Sequence, residues 1–219
     1  MYSRVLFLFL IAAHVALGQT RVFREARGTS MGYDASGDIP WLTTLSSGIN
    51  IPAHTDGPAS IFTVTTTNDT GAGSLRKAIT AANASGGLDR INFAIGSGSV
   101  VIYPKSPLPQ MNSPVIIDGT SQPGYAGVPL IAIDGNDIFV AADGLTLLSA
   151  ATGSTIRGLV VSFFPGQGIV VNANACVVEG CYVGTTTNGA SGRGNSFSGI
   201  FGQDASNCRI GGTISSQRN

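Results

Sequence analysis

Two stretches decide the fold when laid over each other: Thr155-Ile156-Arg157-Gly158-Leu159-Val160-Val161 and Val177-Val178-Glu179-Gly180-Cys181-Tyr182-Val183. Ile156 falls over Val178, Leu159 over Cys181 and Val161 over Val183, so apolar residues meet apolar residues. Arg157 with Glu179, and Val160 with Tyr182, take the outer positions, while Gly158 and Gly180 coincide as a bend between two strands. The same apolar-x-Gly triplet recurs as Ile117-Asp118-Gly119, Ile133-Asp134-Gly135 and Ile210-Gly211-Gly212, with offsets of 16, 23, 22 and 32 residues along the five copies. A second series, Gly144-Leu145-Thr146-Leu147, Gly168-Ile169-Val170-Val171 and Gly199-Ile200-Phe201-Gly202, keeps step at 24 and 31. Self-similarity of this kind marks stacked repeats, each unable to bury its apolar face alone. Three short strands in a repeat of about 22 residues are the arithmetic of a parallel β-helix, whose layers stack at roughly 4.8 Å.

Working outward, strands are expected at 100–103, 115–118, 130–134, 145–148, 155–161, 169–172, 176–183, 199–202 and 208–210, with Gly, Asn or Pro in nearly every gap. The 32-residue step after Val178 is one repeat plus ten residues, which 185–194 (TTTNGASGRG) supply as a surface loop. Upstream, Phe62 and Val64 alternate with Thr63 and Thr65 as a half-buried strand. Ser74 is an N-cap for a helix running to about Ala84, with Leu75, Ala78, Ile79 and Ala82 on one face and Ser85-Gly86-Gly87 as its stop. Ile91, Phe93 and Ile95 return to the same core. The helix is expected to cover the first repeat, because the bare end of such a stack exposes apolar interior and unpaired backbone. No comparable cover is evident at the other end, where Ser216-Gln217-Arg218-Asn219 follow the start of a new repeat, as in a fragment of a longer stack.

Residues 1–18 read as a secretory signal peptide: Arg4 in a short basic start, an apolar core over 5–13 and a small-x-small site at Ala16-Leu17-Gly18. The apolar core is too short to span a bilayer. Residues 19–60, rich in Gly and Pro, read as a leader or linker, and 61–219 as the repeat domain. The 219-residue chain is neutral overall, with 12 basic and 12 acidic residues. Loss of Arg4 leaves the mature chain at −1, no footprint for nucleic acid or an anionic membrane. Only 11% of residues are charged and 30 are Gly, a composition of strands and tight turns. No second apolar stretch is long enough for a transmembrane helix.

The segment Ser74-Leu75-Arg76-Lys77-Ala78-Ile79, after a Thr-rich strand and an Asn68-Asp69-x-Gly turn, resembles the cap of bacterial secreted β-helix proteins, often called the CSLREA-type domain. Ile117-Asp118-Gly119-Thr120-Ser121-Gln122-Pro123-Gly124, Gly153-Ser154-Thr155-Ile156-Arg157-Gly158-Leu159 and Val178-Glu179-Gly180-Cys181-Tyr182-Val183-Gly184-Thr185 are similar to the same group's right-handed parallel β-helix region, of pectin-lyase-like fold. The resemblance covers about 61–219. It departs at Lys77, where Glu or Gln is usual, and at Gly73, where Cys is common. It implies right-handed winding and export to the cell surface or medium. It does not imply one activity, since this fold serves lyases, hydrolases, adhesins and stalks alike.

The outer positions of the triplets make a candidate binding or catalytic row: Asp118, Asp134, Arg157, Glu179. Stacked carboxylates about 5 Å apart raise each other's pKa or share a hard cation. A plainer reading makes Arg157 the partner of Asp134 and Glu179 in a solvated ladder. The 16-residue step also leaves the stacking of Asp118 on Asp134 in question. Asp-Asp, Gly-His-Gly and Arg-Ile-Lys signatures are absent, and the mature chain's one histidine is His54 in the leader. Cys176 and Cys208, 32 residues apart, share one inward column below Ser154, either as a disulfide or as two small buried thiols. Cys181 reads as a buried single thiol. Phe163, Phe164 and Tyr182 are candidates for stacking on sugar rings, against ordinary packing. Asn68-Asp69-Thr70 and Asn83-Ala84-Ser85 match glycosylation sites of a eukaryotic secretory route. The functional expectation is an exported, non-catalytic β-helix acting as stalk, adhesin or glycan-binding surface, followed by further repeats or an anchoring domain. Its partner would be a polysaccharide or cell-surface glycan, and it needs no cofactor. The alternative is a lyase or hydrolase on acidic polysaccharide, using the acidic row and Ca²⁺.

Overall fold

The computed structural model describes residues 59–219; the signal-like segment and the leader through residue 58 lie outside them. The described residues form parallel β-sheets with one α-helix. Strand β1 (Ile61–Val64) leads into helix α1 (Leu75–Ala84), followed by β2 (Asp89–Phe93), β3 (Val100–Ile102) and β4 (Val115–Asp118). Then come β5 (Ile131–Asp134), β6 (Leu145–Leu147), β7 (Thr155–Arg157), β8 (Leu159–Ser162), β9 (Ile169–Val171), β10 (Val177–Glu179), β11 (Tyr182–Val183), β12 (Ile200–Gly202) and β13 (Arg209–Ile210).

These strands build three sheets: β1-β2-β4-β7-β10-β13, β3-β5-β8-β11 and β6-β9-β12. A parallel bridge from Met111 to Leu147 extends the third sheet by one residue. From β4 onward, successive strands visit the first, second and third sheet in rotation. Register explains the period in the sequence. In the first sheet Ile91, Ile117, Ile156, Val178 and Ile210 are successive partners. In the second, Ile102, Ile133, Val161 and Val183 align, and in the third, Leu145, Ile169 and Ile200. Like residues stack because neighbouring parallel strands lie less than 5 Å apart, so each side chain packs on the one in the next strand. The columns converge on a shared interior that also holds Phe93 and Phe164.

Helix α1 forms as its sequence dictates. Ser74 Oγ accepts a hydrogen bond from Lys77 N at 3.2 Å and donates to Gly71 O at 2.8 Å, satisfying one open donor of the first turn. Leu75, Ala78, Ile79 and Ala82 are the buried face, and the helix packs on β1 and β2. The 155–161 and 176–183 runs each break into two strands, at Gly158 (φ +66) and Gly180 (φ +59), a left-handed backbone that costs other residues about 1–2 kcal/mol. The 185–194 loop is a small exposed excursion closed by an antiparallel bridge from Thr185 to Gly192.

One expectation is corrected. Val160, assigned to the outer side by alternation, is only 1% exposed, so the outer position of the second sheet is covered there. At the far end β12 and β13 are largely exposed, and residues 217–219 reach only the β10–β11 corner. Gly180 N donates to Gln217 O at 3.1 Å, Cys181 N to the Asn219 side-chain oxygen at 2.9 Å, and the Asn219 amide to Val178 O at 2.9 Å. Residues 217–219 thereby satisfy backbone groups at the β10–β11 corner that would otherwise be open.

Candidate functional site

The outer face of the first sheet carries the charged row. Asn92, Asp118, Arg157 and Glu179 are successive register partners on β2, β4, β7 and β10. Asp134 is not among them. It sits on β5 in the second sheet, opposite Ser162, so the four-member row is corrected to three members. Arg157 forks onto Asp118, with Nε to Oδ1 at 2.9 Å and a terminal nitrogen to Oδ2 at 2.5 Å. Arg90 adds a contact to Oδ2 at 2.7 Å, and Thr120 donates from its backbone N at 3.1 Å and its hydroxyl at 2.5 Å. Glu179 pairs with Arg209 at 2.8 Å, and Asp134 with Arg193 at 3.0 Å. The expected partners of Arg157, Asp134 and Glu179, are therefore replaced: it grips Asp118, while Asp134 and Glu179 take Arg193 and Arg209.

Burial pushes the Asp118 carboxyl up, yet the hydrogen bonds from Arg157 and Thr120 and the charges of Arg157 and Arg90 outweigh it and hold the pKa below the usual carboxylate value. The hydrogen bond to Asp118 raises Arg157 further, against its own burial. An anion with five donors on its two oxygens is a poor proton acceptor. This geometry suits a structural ladder. Arg90, Arg193, Arg209 and Thr120 were not singled out from the sequence. Arg90 and Arg209 lie one position before an apolar column residue, on outward strand positions, which is the pattern that could have found them.

The aromatic candidates separate. Phe164 is fully buried in the interior, so its assignment to sugar stacking is corrected. Phe163 is 37% exposed, but the Arg193 guanidinium lies 4.7 Å from its ring centre and occupies one face. Tyr182 is half-buried beneath the 185–194 loop, whose Gly189 approaches its ring. The three cysteines are free thiols. Cys176 and Cys181 are buried and Cys208 is partly buried. Burial pushes Cys181 up to about 12, in keeping with an inert core thiol.

A different place offers an open concave surface. Thr67, Asn68, Asp69 and Thr70 form one wall and Val101, Tyr103 and Lys105 the other, around a cavity of about 380 Å³. Arg76, from the Ser-Leu-Arg segment of α1, ties Asp69 of the first wall to the chain just past Lys105 of the second. Its Nε and one terminal nitrogen hold Asp69 Oδ1 at 3.2 and 2.6 Å, while its terminal nitrogens also reach Ser106 O at 2.9 Å and Pro107 O at 2.6 Å. Lys105 is held by Asp137. Tyr103 is 40% exposed and lines the groove together with Thr67, Asn68, Thr70 and Lys105. The sequence-based expectations missed this groove, because Arg76, which links the Asn68 turn to residues 106–107, reaches across about 30 residues and follows no period.

Among the described residues no three His, Cys, Asp or Glu side chains stand close enough to hold a metal ion, and no helix is long and apolar enough to cross a membrane. Compared with known proteins, the chain matches no family and no curated protein.

Proposed function

We propose that residues 61–219 are a capped, right-handed parallel β-helix of an exported protein, and that it is a non-catalytic glycan-binding surface whose ligand lies in the Tyr103 groove. The rotation of strands through three parallel sheets supports the β-helix. The strong preference of parallel crossovers for one hand supports right-handed winding. The groove carries the binding assignment. It sets an exposed tyrosine among threonine, asparagine and lysine residues, residue types that suit the apolar face and the hydroxyl rim of a sugar ring. The enzyme alternative needs a free base on the acidic row. The arginine partners of Asp118, Asp134 and Glu179 favour the non-catalytic reading.

The test is retention on immobilised xylan, cellulose, alginate and polygalacturonate, with and without Ca²⁺, for the native chain and Tyr103→Ala. Retention on at least one polymer, weakened roughly two- to tenfold by Tyr103→Ala, is expected, since stacking on one ring is worth about 0.5–1.5 kcal/mol. Unsaturated ends released from alginate or polygalacturonate, lost with chelator and with Asp118→Asn, would replace this reading with a lyase. Unchanged retention of Tyr103→Ala would remove the groove from it.

A further inference from the structure

We infer that Cys176 and Cys208 are a built disulfide site that staples β13 to β10, and that Cys181 is excluded from it. This is independent of the glycan reading. Val177 pairs with Arg209 and Val178 with Ile210, so the residue just before each strand, Cys176 and Cys208, continues the same register. Neighbouring parallel strands lie about 4.8 Å apart, inside the Cα range of natural disulfides. Both side chains turn to the same interior slot. Cys208 Sγ lies 3.4 Å from Cys176 N, and Cys208 packs on the edge of the core that buries Cys176. Each thiol hydrogen now rests on a backbone carbonyl, Cys176 on Asn174 O at 3.4 Å and Cys208 on Ala173 O at 3.2 Å. No salt bridge or side-chain network has to break for the sulfurs to join. Cys181 stands beyond the Gly180 bend, fully buried, with its thiol directed at Glu179 O at 3.4 Å.

The position gives the bond a purpose. β13 has two residues, both exposed, and a single neighbour, β10, in its sheet. So short and exposed a strand has few contacts to hold it in place. A bond between positions 32 apart would close the segment carrying the exposed 185–194 loop and hold β13 on β10.

The chemistry is thiol–disulfide exchange with a small-molecule disulfide as oxidant. Cys208, the more exposed sulfur, loses its proton and attacks one oxidant sulfur, forming a mixed disulfide and releasing one thiol. Cys176 then loses its proton and attacks the Cys208 sulfur, forming the protein disulfide and releasing the second thiol. Two protein thiols give up two electrons, and the oxidant disulfide becomes two thiols.

The experiment treats the reduced full chain with oxidised glutathione, counts free thiols, maps non-reduced peptides by mass and measures Tm. Expected are a fall from three free thiols to one, a peptide joining Cys176 to Cys208, and a Tm rise of roughly 10 °C that a reductant reverses. Cys181→Ser should keep the link and the rise. Cys208→Ser should lose both, while matching the reduced native chain in Tm within a few degrees. Three free thiols after oxidation, a link through Cys181, or a lasting glutathione adduct on Cys208 with no ring closure would each overturn the assignment.

Discussion

Replacing Gly158 by Ala tests the stacking at the corner where the first sheet passes to the second, and two further glycines separate its causes. At Gly153 the backbone is left-handed (φ +81) and an added Cβ would meet nothing within 4 Å, so Gly153→Ala pays only for conformation. That cost is about 1–2 kcal/mol, offset by roughly 0.4–1 kcal/mol from a stiffer unfolded chain, leaving about 1 kcal/mol. At Gly119 the backbone is ordinary, but a Cβ would lie 2.1 Å from Gly158 O and 2.7 Å from its carbonyl carbon. Backbone cannot yield as a side-chain tip does, so β4 and β7 must part, and Gly119→Ala should cost about 2–3 kcal/mol, the upper range of overpacking. Gly158 combines both: φ is +66, and a Cβ would lie 2.7 Å from the Thr120 methyl and 3.0 Å from Thr120 N. Gly158→Ala should therefore cost about 3–4 kcal/mol.

The assay is urea unfolding of the three variants, with an unchanged slope as the sign that only stability has moved. For a domain of this size each kcal/mol is worth about 2–4 °C, so Gly153→Ala should lower Tm by roughly 3 °C and Gly158→Ala by roughly 10 °C. If Gly119→Ala and Gly158→Ala are as mild as Gly153→Ala, the two backbones do not approach this closely. The stacking of β4 on β7 is then wrong.

Two further outcomes follow from the side chains. Asp118 has its pKa held below the usual 3.8, so its ion pairs add stability that is fully present above about pH 4 and is lost as pH falls through the lowered value. Asp118→Asn should cost about 2 kcal/mol at pH 7, less than a fully buried pair because its arginines reach solvent, and should flatten stability against pH below 4; equal acid unfolding of both proteins would refute the pairing. Phe164→Ala should cost about 3–5 kcal/mol from the interior, whereas Phe163→Ala should cost about 1 kcal/mol, mostly its contact with Arg193; equal losses in thermal unfolding would mean the two rings are misassigned.

The columns of the first sheet were legible because parallel stacking repeats one requirement at one period. Ile156, Val178 and Ile210 occupy the same place in successive strands, and only an apolar residue serves there. The 16-residue step misled for a local reason. Asp118 Oδ1 accepts from Thr120 N, and Asp134 Oδ1 accepts from Asn136 N, each capping a single 3-10 turn that begins at the following glycine. Ile-Asp-Gly is thus a turn signal at the end of a strand, and it appears in the first and second sheets alike. The stacking partner of Ile117 is Ile156, displaced by the long connections on either side of β5 and β6. The ion pairs were out of reach of the sequence for a related reason. Arg193 comes to Asp134 from 59 residues away, out of the inserted loop, where no period applies.

The Ser-Leu-Arg segment shows how local pattern and distant geometry meet. Ser74 caps the helix, Leu75 enters the core, and both roles are readable from residue type. Arg76 joins the Asn68 turn to the strand end at Ser106 and Pro107, a role that exists only once the chain has folded. The two departures from the resembled cap can also be weighed physically. Lys77 is exposed and gives the cap only its backbone N–H, so its side chain is free to vary. Gly73 is different. Its φ is +73, and a Cβ there would lie 2.2 Å from Thr65 Oγ1, against the backbone that bonds Thr65 N to Gly73 O at 2.9 Å. A cysteine at this position would force Thr65 to turn away. The glycine and Thr65 therefore fit each other: Thr65 Oγ1 stands where a side chain at position 73 would begin, at the base of the turn that carries Asn68 and Asp69 into the groove.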